Sequence, residues 1–368
     1  MTRLLSRRPL VAIVALVLLV GTVGSLWAAP PDARKYAITD ISKVDDDFAY
    51  QGEYVGRLYE PRYGYVHVGF QVVARGDGKF DAVLYEGGLP GAGWNMETKT
   101  PLSGTLRDGT LVLEGDGRSV TTDGISATIF DSSGSRLGYM QEIHRVSPTI
   151  GANPPRNAIV LFDGESTENL EGAKVTEDGL LEVGVTTKMP VQDFRLHLEF
   201  RTPYMPYATG QSRGNSGVYI QRRYEVQILD SFGLEGVHNE CGGLYRQQPP
   251  DVNMCLPPLS WQTYDIWFTP VQWDDEGNKI ANARLTVRHN GVAIHSDREL
   301  TNKTGAGKPE GPDPLPILLQ NHGNPVHFRN FWISMGEEDL REYRKSRFPR
   351  LRRLLRRLFS RLHCCRRR

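Results

Sequence analysis

Cysteine is scarce in this chain, with four in 368 residues, and several patterns that mark common enzyme classes are missing. No Gly-x-Gly-x-x-Gly follows a strand-like run, so the phosphate-cradling turn that nicotinamide and flavin enzymes use is not expected. No His-x-His spacing marks a metal site. The middle of the chain lacks sustained helical periodicity, which argues against a helix bundle. What is plentiful instead is glycine (38) and proline (23), with apolar residues dispersed in short runs. That composition favours a β-rich protein, and the length is that of two folded units.

The two ends differ from the middle. Arg3, Arg7 and Arg8 precede an uncharged run from Leu10 to Ala29, so residues 1–30 read as a signal peptide or N-terminal anchor. The expected location is exported: periplasmic or held at the envelope. Residues 340–368 form a basic tail, in which Arg341 to Arg368 contains thirteen Lys or Arg against one acid, Glu342. Leu351, Leu354, Leu355, Leu358, Phe359 and Leu362 recur there at helical spacing opposite an arginine face. That amphipathic pattern suits an anionic membrane surface. Nucleic acid is not an expected partner of an exported protein. Cys364 and Cys365 lie in the tail. In an oxidising compartment Cys241 and Cys255 are expected to close a disulfide around a loop of about fifteen residues, a constraint of about 3 kcal/mol.

Residues 45–147 read as a small β-rich domain. Phe70–Ala74, Phe80–Leu84, Leu111–Glu114 and Ile125–Ile129 are strand candidates between Gly- and Asp-bearing turns. No acid/base pair stands out there, so packing or binding is expected of it rather than catalysis. Pro154-Pro155 marks a linker. Residues 157–335 follow as one large unit, with strand candidates at 159–162, 180–185, 194–201, 216–221, 224–229, 263–269, 283–289, 292–296, 316–322 and 326–334. Asn290-Gly291 is a hairpin signal, because both residues tolerate positive φ. Ten short antiparallel strands imply two packed sheets.

The most informative stretch runs from Arg213 to Asp230. Its polar series includes Asn215, Tyr219, Gln221, Glu225 and Gln227, alternating with apolar residues. Period two puts Glu225 and Gln227 on one sheet face and Val226 and Ile228 on the other. A face of amides, a carboxylate and an aromatic ring suits a sugar; a solvated outer sheet face is the plain alternative. Hydrolysis of an ordinary glycoside needs two carboxyls at a set separation. Here the row is Glu225-x-Gln227-x-Leu229, with no second or third carboxylate. Asp230 and Glu240 are the acids that a neighbouring loop would add.

Several ordered motifs carry a resemblance. They are Leu161-Phe-Asp-Gly164, Asp193-Phe-Arg-Leu-His-Leu-Glu-Phe200, Arg213-Gly-Asn-Ser-Gly-Val-Tyr219 and Tyr224-Glu-Val-Gln-Ile-Leu-Asp-Ser231. Gly242-Gly-Leu-Tyr245, Trp261-Gln-Thr-Tyr-Asp265, Asn290-Gly291, Leu319-Gln-Asn-His-Gly323 and Phe328-Arg-Asn330 follow in order. The chain resembles the 3-keto-disaccharide hydrolase family, also described as 3-keto-glycoside lyase and 3-keto-2-hydroxy-glucal hydratase, over about 157–334. Gln51-Gly-Glu-Tyr54 and Gly87-Gly-Leu-Pro-Gly-Ala-Gly93 resemble a companion domain of some members.

The resemblance implies an all-β protein: a concanavalin A-like jelly-roll sandwich preceded by the smaller β-rich domain. It also implies a 3-keto-glycoside substrate, oxidised beforehand at C3 by a separate dehydrogenase. A C3 ketone acidifies the C2 hydrogen, so one base removes it, the C1 oxygen leaves by elimination, and water adds later. Such a site needs one base, groups that hold the enolate, and an acid for the leaving oxygen. Glu225 is the expected base, as the carboxylate on the polar strand face. His322, sharing a strand face with Gln320, is the expected partner for acid or enolate work. Arg213, Asn215, Gln227, Tyr245, Gln320 and Arg329 are expected sugar or enolate contacts. The plain alternatives are a structural salt bridge for Arg329, a backbone-satisfied turn for His322, a turn cap for Asp230 and a core position for Trp261. No cofactor is required; Glu225, His238, Glu240 and His322 are the side chains that would hold a divalent cation if they converge. The alternative to an enzyme is a non-catalytic glycan-binding sandwich tethered to the envelope.

Overall fold

Two-residue turns of Asp-Gly, with both residues at positive φ, begin to close the first half of the chain into a barrel. Asp108-Gly109 and Asp116-Gly117 are two of them, and their twist matches that of the strands they join. The computed structural model describes residues 36–336. Eight antiparallel strands form the closed barrel: β1 (Gly52–Glu60), β2 (Gly64–Ala74), β3 (Lys79–Glu86), β4 (Lys99–Arg107), β5 (Thr110–Gly115), β6 (Arg118–Thr122), β7 (Ser126–Asp131) and β8 (Arg136–Ile143). The four strands expected from the sequence fall on β2, β3, β5 and β7; the others carry glycine and polar residues that blur the alternation. Tyr54, Leu58, Phe70, Phe80, Leu84, Leu113, Val120 and Ile129 fill the interior. Gly56 is required by this closure: a Cβ there would stand 2.0 Å from the Tyr139 carbonyl oxygen.

The sandwich is two antiparallel sheets around one apolar core. In chain order its strands are β9 (Ile159–Phe162), β10 (Leu170–Glu171), β11 (Val185–Thr187), β12 (Phe194–Arg201), β13 (Ser216–Ile220), β14 (Tyr224–Ile228), β15 (Gln262–Thr269), β16 (Gln272–Trp273), β17 (Lys279–Ala281), β18 (Ala283–His289), β19 (Val292–Leu300), β20 (Leu318–Leu319) and β21 (His327–Met335). One sheet runs β10-β11-β20-β13-β14 and the other β19-β18-β15-β12-β21-β9, while β16 and β17 pair separately. Neighbours in space are distant in sequence, as in a concanavalin A-like jelly roll. Val218, Ile220, Val226, Ile228 and Leu319 face the core. The alternate residues Tyr219, Glu225, Gln227 and Gln320 therefore share the opposite face. Asn290-Gly291 joins β18 to β19 with both residues at positive φ, as expected.

Two expected strands are shorter in the structure. The run at 180–185 becomes strand only at Val185, because Gly184 takes φ +89°. The run at 316–322 pairs only at Leu318 and Leu319, and the Asn321 side chain then accepts from the Gly323 amide (2.9 Å) to make a turn. His322 sits in that turn and not on a strand, which corrects the expectation that it shares a strand face with Gln320.

Barrel and sandwich pack closely. The barrel's Val73 joins the sandwich core, Tyr204 donates to Asp45 (2.8 Å), and Ser147 meets Thr263 (2.6 Å). Among the described residues no helix is long and apolar enough to cross a membrane. The N-terminal signal or anchor, the basic tail and Cys364-Cys365 lie outside the described residues.

Candidate active site

A three-residue turn, Gln221 to Arg223, joins β13 to β14 and sets Tyr219 directly opposite Glu225. The Tyr219 hydroxyl donates to Glu225 Oε2 at 2.7 Å. Across the same pair of strands Gly217 faces Gln227, and its missing side chain makes room for the carboxylate: a Cβ on Gly217 would stand 2.5 Å from Glu225 Oε1. Turned with its amide nitrogen toward the nearby acceptors, Gln227 donates to Glu225 Oε1 (3.0 Å) and to the Ser216 carbonyl (2.8 Å). Asn215 lies beside it, donating to the Gln211 carbonyl at 2.7 Å. Glu225, Gln227 and Asn215, all named from the sequence, are thus brought together.

Two loops complete the surroundings. The Tyr245 amide donates to the Glu225 carbonyl (3.2 Å), and the Glu225 amide donates to the Thr304 hydroxyl (2.7 Å). Gly305 sits between them: a Cβ there would be 2.7 Å from the Tyr245 ring and 3.7 Å from Glu225 Oε2. Tyr245 therefore lies beside the carboxylate, with Arg246 over its ring at 5.4 Å. On the other side the Gln320 amide donates to the Gly217 carbonyl (2.9 Å), which sets Gln320 beside the carboxylate's strand. Its side-chain Oε1 is buried with no protein donor.

Glu225 is only 2 % exposed. Burial pushes its pKa up to about 7, and the Tyr219 hydroxyl opposes that shift by favouring the charged form. The Tyr219 phenol is in turn held above its ordinary range, first by burial and then by the Glu225 charge, so it remains a donor. A carboxylate poised near neutrality and fixed by a neighbouring hydroxyl has the properties of a general base.

Other expected residues are placed elsewhere. Arg213 is engaged elsewhere: it is buried, and its Nε is paired with Asp230 Oδ2 at 2.7 Å. Asp230 also accepts from the Phe232 amide (3.3 Å), the turn-capping role read from the sequence. Arg329 lies on β21 in the six-stranded sheet. Its Nε meets Glu199 Oε2 at 2.7 Å and its guanidinium stacks 4.0 Å above the Trp261 ring. It is a structural ion pair rather than a sugar contact, and Trp261 is engaged with it. His322 is exposed at the tip of its turn, next to the β20 end where Gln320 begins the site. Glu240 caps its own turn through the Gly236 and Val237 amides (2.6 and 3.1 Å), and His238 is exposed. Among the described residues no group of three or more His, Cys, Asp or Glu side chains is placed to hold a metal ion, so Glu225, His238, Glu240 and His322 do not converge.

The expected disulfide is not formed in the structure. Cys241 and Cys255 are free, fully buried thiols: Cys241 meets the Tyr264 hydroxyl at 3.2 Å, and Cys255 donates to the Leu229 carbonyl at 3.6 Å. That hydroxyl donates to the Gln227 carbonyl at 2.6 Å, so the thiols pack beneath the strand that carries the site. Sequence reasoning missed Gly217, Thr304 and Gly305. The loop residues lie some eighty positions from Glu225, and nothing in their local pattern announces the contact. Tyr219 as the donor to Glu225 was recoverable, because a hairpin turn after Ile220 pairs the two.

A β-sandwich bearing one buried, tunable carboxylate among amides and tyrosines is the frame of a carbohydrate-active enzyme, and the family match agrees with that class. Residues 157–334 match the family model of the 3-keto-alpha-glucoside-1,2-lyase-like domain. Three crystal structures from Parabacteroides distasonis ATCC 8503, each provisionally described as a glycosyl hydrolase, are similar. One is 33% identical, covering 50% of this chain and 85% of its own, with a TM-score of 0.45. Another is 18% identical over 49% of this chain and 94% of its own (TM-score 0.37). A third is 22% identical over 49% and 99% (TM-score 0.34). No curated protein matches. Through residues 157–334 the chain belongs to the 3-keto-disaccharide hydrolase family.

Proposed function

We propose that this protein is an exported enzyme that cleaves 3-keto-glycosides, including 3-keto-disaccharides, by elimination across C2 and C1 followed by hydration. The observation that carries this reading is the single carboxylate. The Glu225 carboxylate has no acidic partner among its hydrogen-bond neighbours, which are the side chains of Tyr219 and Gln227. Direct displacement at C1 calls for a second carboxyl, whereas proton removal beside a ketone does not. A pKa near 7 suits a base that must be ionised yet strong enough to take a carbon-bound proton.

In this scheme Glu225 takes the C2 proton and the electron pair moves into the C3 carbonyl as an enolate. Gln227 and Gln320 hold sugar hydroxyls; the free Gln320 Oε1 supplies an acceptor that no protein group uses. Tyr245 bounds the sugar beneath Gly305. His322 protonates the departing C1 oxygen from the exposed turn, and water adds to the unsaturated sugar to complete net hydrolysis. The C3 oxidation belongs to a separate dehydrogenase. The C-terminal basic segment, in the same reading, holds the enzyme to an anionic membrane surface.

The test is incubation of the full chain with a 3-keto-disaccharide beside its unoxidised parent, following released sugar. Cleavage of the keto compound alone is expected. Cleavage of the parent alone would mean an ordinary glycosidase. Binding of either without turnover would make the sandwich a glycan-binding module.

A further inference from the structure

The barrel closes on itself, so it offers no free strand edge, and its interior is filled by side chains such as Tyr54 and Phe70. The outer wall and the two ends are the surfaces left for binding. One part of that wall is unlike the rest. Pairing register aligns Thr128, Tyr139, Arg57 and His67 in one row across β7, β8, β1 and β2. All four point away from the barrel core, on the face opposite Leu58, Ile129 and Met140. Beside this row Tyr59 pairs with Tyr65, the rings meeting edge to face at 5.5 Å. Tyr59 is 46 % exposed, Tyr65 70 % and Tyr139 43 %, and Tyr63 in the adjoining turn is 70 % exposed. Four tyrosines left in water on one wall carry a cost unless something covers them.

The charge of the wall is one-sided. Arg57 and Arg62 are exposed, and Arg62 lies over the Tyr63 ring at 5.3 Å. The nearby acid, Glu60, is already paired with Arg118 at 2.6 Å. Aromatic rings take the apolar faces of pyranose rings, and guanidinium groups take carboxylate or sulfate. Neighbouring strands are about 4.8 Å apart, so the four-strand row runs roughly 14 Å around the curved barrel wall, longer than a single sugar ring.

We propose that this wall of the barrel binds an extended anionic polysaccharide, with Tyr59, Tyr65 and Tyr139 against successive sugar rings and Arg57 and Arg62 against their acidic groups. The barrel then keeps the enzyme on a polymer while the sandwich works on glycosidic units, a role that rests on the sugar-processing reading above.

The experiment uses the full chain with polygalacturonate, dextran sulfate and neutral dextran as probes. Because the basic C-terminal segment also attracts polyanions, the bound face is mapped by tyrosine nitration read by mass spectrometry. Saturating polygalacturonate or dextran sulfate is expected to protect Tyr59, Tyr65 and Tyr139 at least threefold, with Tyr36 unchanged. The Tyr59→Ala/Tyr65→Ala double variant is expected to bind either polyanion about tenfold more weakly in affinity electrophoresis. Its turnover of a small 3-keto-disaccharide and its melting temperature should equal those of the parent protein. Polymer binding with no protection of these tyrosines, or equal binding by the double variant, overturns the proposal. So does protection that appears with protein concentration alone, which would make the wall a contact between copies. Loss of 3-keto-glycoside activity as a function would leave the nitration result standing, so the two readings fail separately.

Discussion

The carboxylate of Glu225 lies over the Cα of Gly217 on the neighbouring strand, in the space a side chain there would occupy. That contact explains why the segment reads Asn-Ser-Gly-Val-Tyr: glycine weakens a strand and is kept where another group must approach closely. Gly217→Ala sets a Cβ 2.5 Å from Oε1, and the flexible carboxylate is the part that yields. The expected result is a 10- to 100-fold fall in kcat, an order of magnitude set by the sensitivity of proton transfer to position. The melting temperature should change little. Unchanged kcat would mean the carboxylate does no proton transfer from this position.

Removing the base itself should be more severe. Glu225→Gln keeps the size and hydrogen-bonding reach while deleting the proton acceptor, and a roughly 10²- to 10⁴-fold drop in kcat is expected. Sugar binding, followed calorimetrically with a 3-keto-disaccharide, should stay within about threefold of the parent because the amide still meets Tyr219. Equal turnover by the two proteins removes Glu225 from the mechanism.

The raised pKa of Glu225 has two consequences for pH. The base must be ionised, so kcat/KM should rise with pH to a plateau with a midpoint near 7. Tyr219→Phe deletes the donor that favours the charged form, and the midpoint should move to higher pH. Stability runs the other way. The folded state holds this proton more tightly than the unfolded chain, whose value is 4.5, so the associated stability is fully present below about 4.5 and is lost as pH rises through about 7. Urea unfolding should therefore find Glu225→Gln the more stable protein at pH 8, with the gap closing at pH 4. A gap that widens on acidification contradicts a raised pKa.

Arg213 and Arg329 were both read as sugar contacts, and the structure makes both ion-pair partners. Their energetic weights differ by burial. Arg213→Ala leaves Asp230 buried and uncompensated, a loss of about 3–5 kcal/mol. The Arg329 side chain is 38 % exposed, and Glu199 keeps the Gly151 amide and Asn330 as donors, so Arg329→Ala should cost about 1 kcal/mol or less. Neither should change KM by more than a few-fold in protein that remains folded. A selective rise in KM for Arg213→Ala with no loss of stability would restore it to the binding surface.

His322 is tested by leaving group. If it protonates the departing oxygen, His322→Ala should slow a 3-keto-disaccharide by about 10²-fold. A 3-keto-glycoside with a nitrophenol leaving group, which departs without a proton, should be nearly unaffected. Equal slowing of both substrates would show that the exposed turn only shapes the site.

The sequence legibly placed Glu225 and Gln227 on one face, because side-chain alternation in a strand is local and needs no knowledge of partners. It also fixed the turn at Asn290-Gly291, where φ preference alone decides. The long ordered series of motifs carried the family and the sandwich. It did not reveal eight strands in the first half, since barrel closure uses strands whose own patterns are weak: Arg118–Thr122 is short, and β1, β4 and β8 carry inward glycines. Nor did it tell Arg213 and Arg329 apart from ligand contacts, because an arginine's role depends on which carboxylate the fold sets beside it.

Period, turn chemistry and the missing second carboxylate were properties of the chain by itself, since each is written within a few neighbouring residues. The ionisation of Glu225 was decided only in three dimensions. Its proton affinity follows from burial under the loops of Tyr245 and Gly305 and from the Tyr219 hydroxyl. Desolvation depends on atoms brought together from positions eighty residues apart, and no local pattern encodes that sum.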